Sequence, residues 1–242
     1  MEKKNVKRNV VLGILFFLPV GFLLMLYPST HNYDPLEIVD EHVSDLQLFS
    51  SSTEDDVLLE DHITVLGFLG NDPVKNVIAA SNLKELVYDK FKGFKKFQIV
   101  IVLPKGSEER AKQLHKEINN YDDMRFWHYV FGQPNDIKTL FGSMKTEEAL
   151  DENLFTDHVF IVDKDLKQRG RLDDREDKEI ERKEAIYPLY SYDCIEVAEV
   201  KNKMSDDLRI LFTEYRQKRK GKFDSSTRRK EDIKTNKENS GI

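Results

Sequence analysis

The chain has 242 residues, 39% of them hydrophobic and 34% charged, with a formal net charge of -6. That length accommodates one ordinary domain with flanking segments, and the acidic balance argues against a general nucleic-acid binder. A single cysteine, Cys194, excludes an intramolecular disulfide and a cysteine-based zinc cage.

Lys3, Lys4, Lys7 and Arg8 precede an uncharged run over 10–27, rich in Leu, Phe, Val and Ile. As a helix such a run rises roughly 27 Å, about the hydrocarbon thickness of a bilayer. The basic flank before it predicts a single span of the cytoplasmic membrane, with residues 1–9 inside and everything after Pro28 on the periplasmic or extracytoplasmic side. A cleaved signal peptide is the competing reading. Cleavage wants small residues after the apolar run, whereas Leu24-Met-Leu-Tyr27 is bulky, so a retained anchor is favoured.

Residues 28–60 are polar and acidic and read as a juxtamembrane linker, with one short strand near Gln47–Phe49. The domain is expected over 61–217. Ile63–Leu69 is a short apolar run, the pattern of a strand buried on both faces. Val74–Phe91 has helical spacing at Leu83, Leu86 and Val87, with Asp72 as N-cap and Pro73 in the first turn. Phe97–Leu103 predicts a second buried strand, Ser107–Ile118 a helix, Arg125–Val130 a third strand and Asp136–Phe141 a short helix. Val159–Val162 and Gln168–Leu172 read as a hairpin around Asp163-Lys-Asp165, residues 173–185 as an exposed charged loop, and Glu196–Arg216 as a closing helix. The order βαβαβα, β-hairpin, α predicts an α/β thioredoxin-like domain with a mixed central sheet covered on both sides. Residues 218–242 are basic and polar with few aliphatics and read as a disordered tail; its Arg216–Lys222 run could also touch anionic lipid headgroups.

Several of these segments, from about Ile63 to Tyr215, resemble the Sco/SenC family of membrane-anchored thioredoxin-like proteins associated with copper delivery to cytochrome c oxidase. The residues that carry the likeness are Val65-Leu-Gly-Phe-Leu69 with Asn82-Leu83 downstream, Arg125-Phe-Trp127 with Gly132, and Val162-Asp-Lys-Asp with Arg169-Gly-Arg-Leu-Asp-Asp174. The last is similar to the family's VDKxGxIRGxYDG hairpin. The family holds copper with a CxxxC motif, proline following the first cysteine, and a distant histidine. In register, the cysteine positions fall on Asp72 and Asn76, with Pro73 in the proline position, and the histidine position falls on Phe155. All three ligands implied by the resemblance are therefore replaced.

Thiol–disulfide exchange requires a thiolate, and Cu(I) selects soft sulfur ligands. The expectation is thus a non-catalytic chain with no metal or cofactor, acting as a protein-binding or assembly module. The resemblance implies partners in oxidase biogenesis, either oxidase subunits or an active paralogue. Two alternatives stay open. A relocated metal site could use His128 and His158, although the six histidines form no HExxH or HxxxH pair. Cys194 could pair with another protein's thiol if it is exposed, against the common reading of a lone cysteine as a buried small hydrophobe. Asp72 itself is explained as a helix cap.

Overall fold

The computed structural model describes residues 11–22, 35–52, 56–119 and 123–219. The chain divides into two compact units, Met1–Asp34 and Pro35–Ile242. In the first, residues 11–22 form helix α1, which exposes large apolar side chains such as Leu15, Phe16 and Phe17. This helix is the described part of the expected 10–27 span. The remainder of that run, the 1–9 end and residues 220–242 of the tail lie outside the described residues. Among the described residues, no helix is long and apolar enough to cross a membrane.

The second unit is organised by strand β3 (Ile63–Leu69), every residue of which is buried. On one side it pairs in parallel with β4 (Phe97–Pro104), which pairs in parallel with β5 (Trp127–Gly132). On the other side β6 (Phe155–Val162) runs antiparallel to β3, and β7 (Gln168–Gly170) antiparallel to β6. Two parallel crossovers, an antiparallel hairpin and a closing helix make this a thioredoxin-like α/β fold with a mixed sheet and flanking helices.

Between β3 and β4 the chain is helical throughout Pro73–Phe91, where one uninterrupted helix is expected. It begins as a 3-10 turn (Pro73–Asn76), continues as α2 (Val77–Leu83), widens to a π turn (Lys84–Tyr88) and ends in α3 (Asp89–Phe91). Helix α4 (Glu108–Ile118) joins β4 to β5, and α5 (Pro134–Gly142) follows β5. The charged 173–185 stretch, expected as loop, contains the short helix α6 (Asp177–Glu181), closed by a capping box between Glu176 and Glu179. After β8 (Tyr192–Asp193), a π turn over Glu199–Met204 leads into α7 (Ser205–Arg219).

Alternation along the strands separates two apolar layers. Ile63, Val65, Ile99 and Ile101 pack with Ala80, Leu83, Leu114 and Leu208 from α2, α4 and α7. Leu66, Phe68, Val100 and Val102 pack with Ile137 and Leu140 of α5 and with Val43, Leu46 and Leu59. These last residues fall within the segment expected to be a linker. From Leu36 onward that segment belongs to the domain instead: β1 (Glu37–Asp40) pairs with β7, and β2 (Ser50–Ser51), just beyond the expected 47–49 strand, pairs with β5. The sheet order is β1-β7-β6-β3-β4-β5-β2, with β8 paired to β6.

A buried ionic cluster ties the hairpin to both ends of this unit. The Arg169 guanidinium donates to Asp163 at 2.6 Å, to the Leu36 carbonyl at 2.6 Å and to both carboxylate oxygens of Glu214 on α7. Arg171 donates to Asp207 and Asp174, and Tyr192 donates its hydroxyl to Asp207 at 2.7 Å. Charges taken this far from water are retained only when paired and hydrogen-bonded. The hairpin residues that carry the family resemblance, Asp163, Arg169, Arg171 and Asp174, are therefore used here to hold the fold.

Candidate functional site

Strand β3 ends at Leu69, and the chain turns sharply through Gly70. Its φ of +73° favours glycine, and an added Cβ would sit 2.9 Å from the Asn153 carbonyl oxygen. The turn delivers Asn71 and Asp72 to the start of the helical run. Pairing of Leu69 with Phe155 brings the first residue of β6 to the same end of the sheet. The result is a depression of about 110 Å³ lined by Asp72, Asn76 and Phe155 together with Asn71, Lys75, Asp151 and Asn153. The three positions counted from the sequence as replaced ligands thus converge. Their location beyond the carboxyl ends of the parallel strands is where open α/β sheets build sites.

The groups in the depression are largely committed to one another. Arg110 of α4 donates to Asp72 Oδ2 at 2.9 Å, with Lys75 3.6 Å from the same oxygen. Asn76 Nδ2 donates to the Leu69 carbonyl at 3.0 Å. Asp151 Oδ1 accepts the backbone N–H groups of Asn153 and Phe155, each at 2.8 Å, and Asn71 Nδ2 donates to Asn153 Oδ1 at 3.0 Å. Asp72 occupies the expected N-cap position, but its side chain makes no capping hydrogen bond. The backbone explains this, because φ -127° and ψ 73° turn the carboxylate toward α4 rather than over the first amides. Its Oδ1 is shielded from solvent and has no hydrogen-bond partner among the described residues.

This donor set does not fit Cu(I). An ion-paired carboxylate, an amide whose nitrogen already donates, and an aromatic ring offer no soft ligand. Nor does it support redox chemistry, since no thiol reaches the depression.

The relocated candidates are kept apart. His128 on β5 and His158 on β6 have β4 and β3 between them, a separation of about 14 Å at the usual spacing between strands. His158 is instead engaged locally: its Nδ1 lies 3.0 Å from the Ser191 hydroxyl and its Nε2 3.6 Å from Glu148. Cys194 is fully buried, with its thiol against the Asp157 carbonyl. Burial, reinforced by Asp193 and Asp157, pushes the thiol up to about 12. The exposure that a mixed-disulfide role requires is absent, and the reading of Cys194 as a buried hydrophobe stands.

No protein-family model and no curated protein matches the chain. Among solved structures it is similar to BsSco, described as a member of the Sco family of cytochrome c oxidase assembly proteins with a disulfide switch. That match has 13% identity over 73% of this chain and 97% of the other, with a TM-score of 0.46. It is also similar to apo Sco1 of Thermus thermophilus, at 14% identity over 75% of this chain and 97% of the other, TM-score 0.43. Copper-bound ScoI of Bradyrhizobium japonicum matches at 13% identity over 70% of this chain and 99% of the other, TM-score 0.39. The thioredoxin-like assignment itself stands on the strand order and register given above.

Proposed function

We propose that this chain is a non-catalytic, membrane-anchored protein of Sco-like thioredoxin fold, working as a docking or assembly module. The observation that carries the proposal is the convergence of Asp72, Asn76 and Phe155 in one depression whose polar groups are held by Arg110, Leu69 and Asp151. Where the resemblance implies a copper ligand set, this chain has an ion pair and a set of loop-fixing hydrogen bonds. A surface without the chemistry is suited to binding a protein partner. On this reading the partner belongs to cytochrome c oxidase biogenesis, as an oxidase subunit or an active paralogue, with the domain on the periplasmic side of the cytoplasmic membrane; the family resemblance supports it. Exposed apolar residues along α1 and the basic residues before it support the anchor.

Purification of the tagged full-length chain in mild detergent tests the reading. Recovery with oxidase subunits or a cysteine-bearing relative supports it; recovery only with unrelated envelope proteins sinks the assembly role. Tight stoichiometric Cu(I) binding by the wild-type chain would overturn the non-catalytic reading itself.

A further inference from the structure

The turn between α3 and β4 is basic where the chain as a whole is acidic. Residues 89–97 read Asp-Lys-Phe-Lys-Gly-Phe-Lys-Lys-Phe, four lysines against one carboxylate, in a chain of net charge -6. Phe91 and Phe97 are buried in the core. Phe94, at the tip, is 36% exposed and stacks on Phe212 of α7, with ring centroids 4.2 Å apart. Helical spacing puts Arg209 and Arg216 on the stripe of α7 that carries Phe212, three residues before it and four after. Both arginines are exposed. Turn and helix thus form one face, a phenylalanine pair set among lysine and arginine side chains.

The cations on this face are only partly cancelled. Lys92 pairs with Asp89, Lys96 with Asp61 and Arg209 with Asp206. Lys90 lies over the Phe91 ring, and Lys95 shares a hollow with Lys92 and Arg125. Burial and then the nearby Arg209 hold the Lys90 ammonium below its ordinary range; Lys201 acts the same way and Asp206 opposes. Arg125 pairs with Asp123, and Asp122 is the one further acid of that adjoining segment, so Lys90, Lys95 and Arg216 keep the face positive. The two ends of the chain, 1–34 and 220–242, each carry more Lys and Arg than Asp and Glu and do not reverse the balance.

This pattern fits a bilayer surface. Basic side chains gather at anionic headgroups, while aromatic rings and lysine stems settle at the boundary with the acyl chains. A nucleic-acid site calls for a basic domain, which this acidic chain lacks.

We propose that the α3–β4 turn and the adjacent stripe of α7 dock on an anionic lipid surface, with Phe94 entering the headgroup boundary and Lys90, Lys95 and Arg216 meeting lipid phosphates. The nearness of a bilayer rests on the anchored reading above; the chemistry of the face does not. The turn leads into the start of β4 at Phe97, whereas the Asp72 depression lies beyond the end of β3 at Leu69, the opposite end of the parallel strands. Docking by this face therefore turns the depression away from lipid and toward a partner.

Gly93 offers a reporter position. A Cβ there meets nothing within 4 Å, so Gly93→Cys should fold, and the native Cys194 is buried with its thiol pushed up to about 12. The full-length Gly93→Cys chain is labelled with an NBD maleimide and transferred from detergent to liposomes of phosphatidylcholine, with and without phosphatidylglycerol. NBD emission should rise and shift to the blue only with the anionic lipid. The response should fade between about 0.05 and about 0.5 M salt, over which the screening length shrinks roughly threefold. Lys90→Gln combined with Lys95→Gln should lower the equilibrium constant for lipid contact on the order of tenfold. The same charge removed at the exposed Lys138 and Lys178 should leave it unchanged. A reporter that ignores phosphatidylglycerol, lysine variants that respond like wild type, or a control pair that loses as much as the test pair overturns the inference. So does a response that scales with protein concentration, which gives the face to a second copy. Flotation with phosphatidylcholine alone reads the anchor separately: a chain that fails to float loses the anchored reading, while the reporter still decides the face.

Discussion

Arg110, in the first turn of α4, donates to Asp72 Oδ2 at 2.9 Å and so joins the helix after β4 to the turn after β3. The guanidinium and the carboxylate meet at the place where the family resemblance would put a sulfur. Because Arg110 is about half exposed, the pair itself is a modest contributor, below about 1 kcal/mol. The position is therefore open to substitution.

That openness predicts the behaviour of a restored site. The triple variant Asp72→Cys, Asn76→Cys, Phe155→His places two thiols and an imidazole around the same depression. It should fold and bind Cu(I) on the order of a hundredfold or more tighter than wild type, in competition with a Cu(I) chelator. Equal affinities would mean that the three positions, though adjacent, do not form a copper-binding frame.

Arg169 should be far less forgiving. Its side chain is almost entirely buried against Asp163 and Glu214, so Arg169→Ala leaves the buried Asp163 without its counter-charge and Glu214 with only Lys218. The expected loss is about 3–5 kcal/mol in denaturant unfolding. Arg110→Ala, measured in parallel, should cost no more than about 1 kcal/mol.

Cys194 gives a pH signature. Its thiol stands at about 12 in the folded chain against an ordinary 9.0, so the folded state holds the proton more tightly. Between those values the folded chain binds more protons than the unfolded chain, and stability falls as pH rises through that window. Below it, the contribution is fully present. Alkylation of Cys194 by iodoacetamide should accordingly be slow in the native protein and fast in denaturant. Rapid native labelling would contradict the buried position.

Gly132, at the end of β5, lies directly under the Phe49 ring, leaving no room for a Cβ. Gly132→Ala should destabilise by about 1–3 kcal/mol through overpacking, and Phe49→Leu in the same chain should recover part of the loss. Additive effects in thermal unfolding would show that the two sites do not interact.

The parts of this architecture that the sequence made legible are those with long periodic signals. β3 and β4 are continuous apolar runs bounded by polar residues, and their ends are read to within one residue. The closing helix and α4 follow from spacing and capping residues. Edge elements escaped because they are too short to carry a period: β2 and β8 have two residues each, and β1 has four. The convergence of Asp72, Asn76 and Phe155 was implied by the family resemblance alone, and in the fold it comes from the register pairing of Leu69 with Phe155. The Arg110 contact was not, because it depends on how α4 settles over the β3 turn. Likewise, His128 and His158 are separated by a strand order that no local pattern encodes.

The Leu36 carbonyl that accepts from Arg169 lies just before β1, while Glu214 lies near the end of α7. One guanidinium thus clasps the first and last parts of the domain, which cannot be trimmed independently. A fragment starting at residue 61 would strip β1 from β7, leaving the outer backbone groups of that strand open to recruit a foreign strand. Strand β1 is thus a cover on a sticky edge, and its removal would turn a well-behaved domain into a seed for aggregation.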